Sequence, residues 1–211
     1  NADVVCAYVK LYSFMLTDLD IAKCGLKEDT KWLDYRRTCE ALLSDTRTDD
    51  LKQRTTLWAA YLSSLWQHDK KKSYNAYKKC LEDNQIARQV FGEYFGFVTK
   101  NSTPGDINLI REMYNLTIDC TQLPYYQWNK ILGFEKKQKT AKSTDHITRL
   151  YTRVAVLHGA KNCDLWLDAI RWQYLLGNTD RASSLYWEAT RQLKPEHVQD
   201  FTQRHSLKQA Q

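Results

Sequence analysis

Glycine and proline are scarce in this chain. Its 211 residues include 7 Gly and 3 Pro, about 5% together against roughly 12% in average proteins. So few breakers, among many Leu, Ala, Lys, Arg, Gln and Glu, mean helices joined by short turns. No stretch alternates apolar and polar residues as a half-buried strand does, and no segment is long enough to act as a linker between domains. No apolar run approaches the length of a bilayer-spanning helix, which argues against a membrane partner. The chain opens at Asn1 without Met or a visible signal peptide, and reads as a fragment of a longer or processed chain.

Catalytic patterns are missing too. There is no G-x-G-x-x-G, no phosphate-binding loop, no G-x-S-x-G and no H-E-x-x-H. His68, His146, His158, His197 and His205 are scattered. The six cysteines, at 6, 24, 39, 80, 120 and 163, form no C-x-x-C pair. Zinc is not indicated, and the expectation is buried free thiols in a reducing compartment. Asn101-Ser102-Thr103 and Asn115-Leu116-Thr117 match the glycosylation sequon, but nothing indicates secretion. The expectation is a non-enzymatic chain without metal or cofactor. Its net charge of +6 is mild and does not require nucleic acid.

What the chain has is helical periodicity, clearest over residues 164–195. Leu165, Trp166, Ala169, Ile170, Trp172 and Leu176 recur at spacings of three and four, which places them on one helix face. Gly177-Asn178 breaks the pattern as a C-cap and turn. Ala182, Leu185, Tyr186, Ala189 and Leu193 then resume it, and Pro195 closes the unit. Two helices this short cannot bury both faces alone.

Related units precede it. Trp166, Ala169 and Trp172 are matched by Trp128, Ile131 and Phe134 (with Glu135 following), by Phe91, Tyr94 and Phe97, and by Trp58, Tyr61 and Ser64. A tyrosine recurs in each second helix: Tyr77, Tyr114, Tyr151 and Tyr186 are 37, 37 and 35 residues apart. A period of this size in a helical chain marks a solenoid. The expected pairs span residues 3–44, 50–83, 85–119, 122–158 and 162–194, with a capping helix over 196–208. In the first pair, Val5, Tyr8, Leu11, Tyr12, Met15 and Leu19 share one side of a helix over 3–20. Three finer expectations concern caps. Thr103-Pro104-Gly105-Asp106 opens a helix as a capping box with Pro at the first position. Ser143 or Thr144 caps the helix over 143–158, and Gly159 ends it as a C-cap glycine.

The frame resembles the half-a-TPR (HAT) repeat of RNA-processing assemblies. Trp128, Phe134, Glu135, Leu150, Tyr151 and Arg153 match that repeat, as do Trp166, Trp172, Arg181, Ala182, Leu185, Tyr186 and Pro195. Ala169, Gln173 and Glu188 depart from it. The resemblance implies an all-α solenoid of antiparallel helix pairs, one domain over 1–211, that holds complexes together through protein contacts. Within the family, the run from Asn162 to His205 is most similar to the HAT subunits of small-subunit processomes. That likeness rests on Leu185-Tyr186-Trp187 and on the Phe201 to His205 tail. It implies a nucleolar location, a role in 18S ribosomal RNA maturation, WD40-propeller partners and indirect RNA association. HAT arrays in splicing and mRNA 3′-end cleavage share the repeat, and some HAT arrays form homodimers. A prenyltransferase-type helical subunit is the alternative from the enzymes, but its N-Y-x-x-W-x-x-R core is missing.

Candidate contact residues lie off the frame or in basic runs. Lys70, Lys71 and Lys72 precede Tyr74, Tyr77, Lys78 and Lys79, and Lys136, Lys137, Lys139 and Lys142 form a second run. The functional reading is phosphate or acidic-peptide contact; the plainer one is a solvated turn. Trp66 and Trp187 are the aromatics best placed for a peptide groove. The other tryptophans and tyrosines of the frame are expected to be packing residues.

Overall fold

The computed structural model describes residues 30–44, 51–138 and 140–209. The expected helix over 3–20 lies outside them. The described residues are all-α, without a strand. Ten α-helices follow in order: α1 Thr30–Ser44, α2 Leu51–His68, α3 Lys70–Cys80, α4 Asn84–Lys100, α5 Ile107–Cys120, α6 Tyr125–Gln138, α7 Ala141–His158, α8 Cys163–Leu175, α9 Thr179–Gln192 and α10 Pro195–Gln209. The chain divides into two compact units, one ending at Leu123 and one beginning at Pro124.

In the first unit α2 is central. It packs on α1, on its hairpin partner α3, and on α4, which in turn pairs with α5. The α2–α3 turn is one residue, Asp69, whose carboxylate accepts the Lys72 amide at 3.0 Å and so caps α3. Asp83 caps α4 by accepting from the amides of Gln85 and Ile86. The core is aromatic: Trp66, Tyr77, Phe91, Tyr94, Phe95 and Tyr114 are fully buried. Tyr77 and Tyr94 meet at 5.3 Å between ring centroids, and Phe91 and Phe95 stack at 5.1 Å. A buried phenol needs a partner, and each of these two tyrosines has one. Ser73 Oγ donates to Leu62 O, so Tyr94 is the donor in the 2.6 Å bond to Ser73. Thr117 Oγ1 donates to Met113 O, so Tyr77 donates to Thr117 at 2.7 Å.

In the second unit α6 pairs with α7 and α8 with α9, while α7 and α10 both pack on α8. Thr140 caps α7, accepting from the Ser143 amide at 3.2 Å. The helix therefore starts before the expected caps; Ser143 is buried and its hydroxyl pairs with Thr140 Oγ1. Gly177 ends α8 with φ +75°. The Asn178 amide reaches Gln173 O and the Gly177 amide reaches Tyr174 O, a Schellman motif whose left-handed residue favours glycine. Gly159 is not such a cap. Its φ is −61°, and it leads into the 3-10 turn Gly159–Lys161. Pro195 is the first residue of α10, where its missing N–H costs nothing. The Lys194 amide donates to Ala160 O at 2.9 Å, tying the start of α10 to the turn before α8.

Candidate functional site

Most of the frame residues are buried, and the rest are not. Trp128, Glu135 and Trp166 are fully buried, and Phe134 and Tyr151 nearly so. Trp58, Arg153, Trp172 and Tyr186 are half-buried, and Pro195 is exposed. Tyr186 was expected to be buried as the other repeat tyrosines are. It lies on α9 and is covered on one side by α10, stacking on Phe201 at 5.5 Å and on the His205 ring at 4.7 Å. Burial there holds the His205 imidazole below its ordinary pKa.

Trp66 is no surface residue: its side chain is 2% exposed and meets Tyr94 edge-on at 6.5 Å. The reason is the position of α2, which has neighbours on three sides, so positions off the repeat frame are interior as well. Its indole N–H has no hydrogen-bond partner.

Two of the candidate lysines are internal fasteners. Lys70 lies over the Trp66 ring, 5.7 Å from its centroid, and its ammonium donates to Asp106 Oδ2 at 2.6 Å. The same oxygen accepts from the Thr103 amide and hydroxyl, closing the expected capping box ahead of α5. Lys136 lies over the Tyr151 ring at 5.5 Å and donates to Asp168 Oδ2 at 2.7 Å, where the Tyr151 hydroxyl also donates. Burial, and then this carboxylate, raise the Tyr151 phenol pKa. Each lysine thus ties its helix to another element, with its ammonium over an aromatic ring. Asp106 was legible as the acid of the capping box and Asp168 as a dispersed acid, but neither as a lysine's partner, because spacing in sequence does not reveal a pair 36 or 32 residues apart.

Other candidates remain outside. Lys71 and Lys137 are exposed, and Lys72 reaches the capping Asp69 at 3.2 Å. Trp187 is 63% exposed and rests edge-on against Tyr186 at 5.2 Å. Lys71, Lys72, Lys78 and Lys79 give α3 four exposed lysines.

Among the described residues no three His, Cys, Asp or Glu gather as a metal site requires, and no helix is long and apolar enough to cross a membrane. Comparison with protein-family models, curated proteins and solved structures gives no match.

Proposed function

We propose that this chain is a non-enzymatic scaffold in a nucleolar pre-rRNA processing complex, a HAT-type solenoid that works through protein contacts in 18S ribosomal RNA maturation. The observation that carries the reading is the place of the repeated aromatics. Trp128 and Trp166, at equivalent positions of successive helix pairs, are both fully buried. Each lies on the first helix of its hairpin, as a HAT frame requires. The partners we propose are WD40-propeller subunits of that complex.

RNA is a secondary contact in this account. Tight RNA binders concentrate free cations on one face. Here Lys70 and Lys136, one from each basic run, are held by Asp106 and Asp168.

The test is purification of the tagged chain from cells, with and without ribonuclease, followed by identification of what remains bound. WD40-type processome proteins retained after ribonuclease support the reading. Recovery of splicing or 3′-end cleavage proteins instead would move the scaffold to another HAT assembly. Loss of every partner on ribonuclease treatment would make RNA the primary contact.

A further inference from the structure

An open groove of about 800 Å³ lies over α2 between α1 and α3. Trp58 and Leu65 of α2 line its floor, and Leu43 of α1 and Ala76 of α3 add apolar wall. Trp58 is half-buried and tilts against Tyr61 at 6.2 Å, so part of its ring is left to the groove. The floor suits one aliphatic or aromatic side chain.

The charges around that floor are unequally engaged. Glu40 accepts from the Tyr61 hydroxyl at 2.7 Å and from Arg36 Nε at 2.8 Å. Asp83 caps α4 and faces Arg54 at 3.8 Å. Glu82 is exposed at one end. Two of the three acids are therefore occupied by the protein's own donors. On the α3 wall, Lys79 makes no direct ion pair among the described residues, and its charge acts at longer range on Glu40. Lys72 has only the half-exposed Asp69, which lies outside the groove. Lys72 and Lys79 are seven residues apart on one helix, hence on one face and about 10 Å apart along the axis. That is the span of roughly three extended residues.

We propose that this groove binds an extended acidic segment of a partner protein, seating one apolar side chain on the floor formed by Trp58 and Leu65 while Lys72 and Lys79 hold carboxylates along the α3 wall. The proposal rests on the scaffold reading only for the idea that the natural occupant is a protein.

The experiment measures fluorescence anisotropy of a labelled peptide of about twelve residues, made of Glu and Asp with a central Leu-Phe pair, against the whole chain. The same peptide with Gly-Ser at its centre and a uridine oligonucleotide of equal length serve as comparisons. Saturable binding is expected, weakening with salt. It should fall about tenfold in a K72E/K79E double variant and by several-fold for the Gly-Ser peptide. Lys137→Glu, a charge reversal outside the groove, should leave it unchanged. Both groove lysines are exposed, so the double variant should melt with the wild type.

Absence of saturable peptide binding overturns the proposal. So does equal affinity for the double variant, or tighter oligonucleotide binding lost with the same two lysines. Partner retention in the ribonuclease purification without peptide binding would sink the groove and leave the scaffold. Peptide binding without recovery of a processing complex would do the reverse.

Discussion

Trp166 and Gly159 fit each other at close range. The indole Nε1 of Trp166 donates to Gly159 O at 2.9 Å. A Cβ built on Gly159 would meet Trp166 Cζ2 at 3.0 Å. Glycine is needed here for the approach of a ring, with an ordinary right-handed φ of −61°. The contact joins the end of α7 to the first turn of α8.

Gly159→Ala should therefore destabilise the protein by about 1–3 kcal/mol, the usual cost of overpacking. Trp166→Ala should cost about 3–5 kcal/mol. Combining them should cost less than the separate losses added together, because without the ring the new methyl has nothing to strike. Denaturant unfolding of the three variants checks this; strict additivity would place the ring elsewhere.

Trp66 and Trp187 should behave as opposites. Trp66→Ala empties a fully enclosed site and should cost about 3–5 kcal/mol. Trp187→Ala changes an exposed ring and should stay within about 0.5 kcal/mol. A pair of thermal melts decides it, and comparable losses in both would contradict the burial described for α2 and α9.

Asp106 should make stability pH-dependent. Burial works against its charged form, but donors from Lys70 and Thr103 outweigh it and hold the carboxyl below its ordinary value. The folded state thus binds the proton less readily than the unfolded chain. The stabilisation is complete above about pH 4 and is lost as pH falls through the lower folded value. Asp106→Asn should cost about 1 kcal/mol near neutral pH, the size of a capping loss. The gap from wild type should close in acid; urea midpoints at both pH values show whether it does.

The thiols should separate by reactivity, since the thiolate is the nucleophile. Burial pushes Cys39 up to about 11 and Cys80 up to about 12. Cys120 is exposed. Alkylation of the native protein followed by peptide mass analysis should label Cys120 well before Cys39 and Cys80, which wait until the chain is unfolded. Early labelling of Cys80 would mean that the α3 side of the core opens readily.

Periodicity made the helices and most of their inward faces legible, because a buried helix stripe is written at spacings of three and four. Gly177 was legible too, since a turn at positive φ selects glycine. Gly159 was not: a glycine after a helix looks the same in sequence whether it turns the chain or admits a ring. Thr140 was hidden by Ser143 and Thr144, equally good caps a few residues on. Trp66 was misplaced because a repeat frame describes one face, and α2 is buried on several. Lys70 and Lys136 read as charge runs since their acids lie 36 and 32 residues away. Of the groove over α2 only the basic run holding Lys72 and Lys79 was legible; its floor and other walls come from three helices whose residues share no spacing.

The scaffold role proposed for this chain in 18S ribosomal RNA maturation can be tested with labelled ribosomal RNA in cells depleted of it. The account predicts that newly made 18S rRNA falls, with unprocessed precursor accumulating, while large-subunit rRNA continues to be made, and that wild-type chain restores the balance. Undisturbed 18S production after depletion, or a defect confined to messenger RNA splicing or 3′-end cleavage, would contradict it.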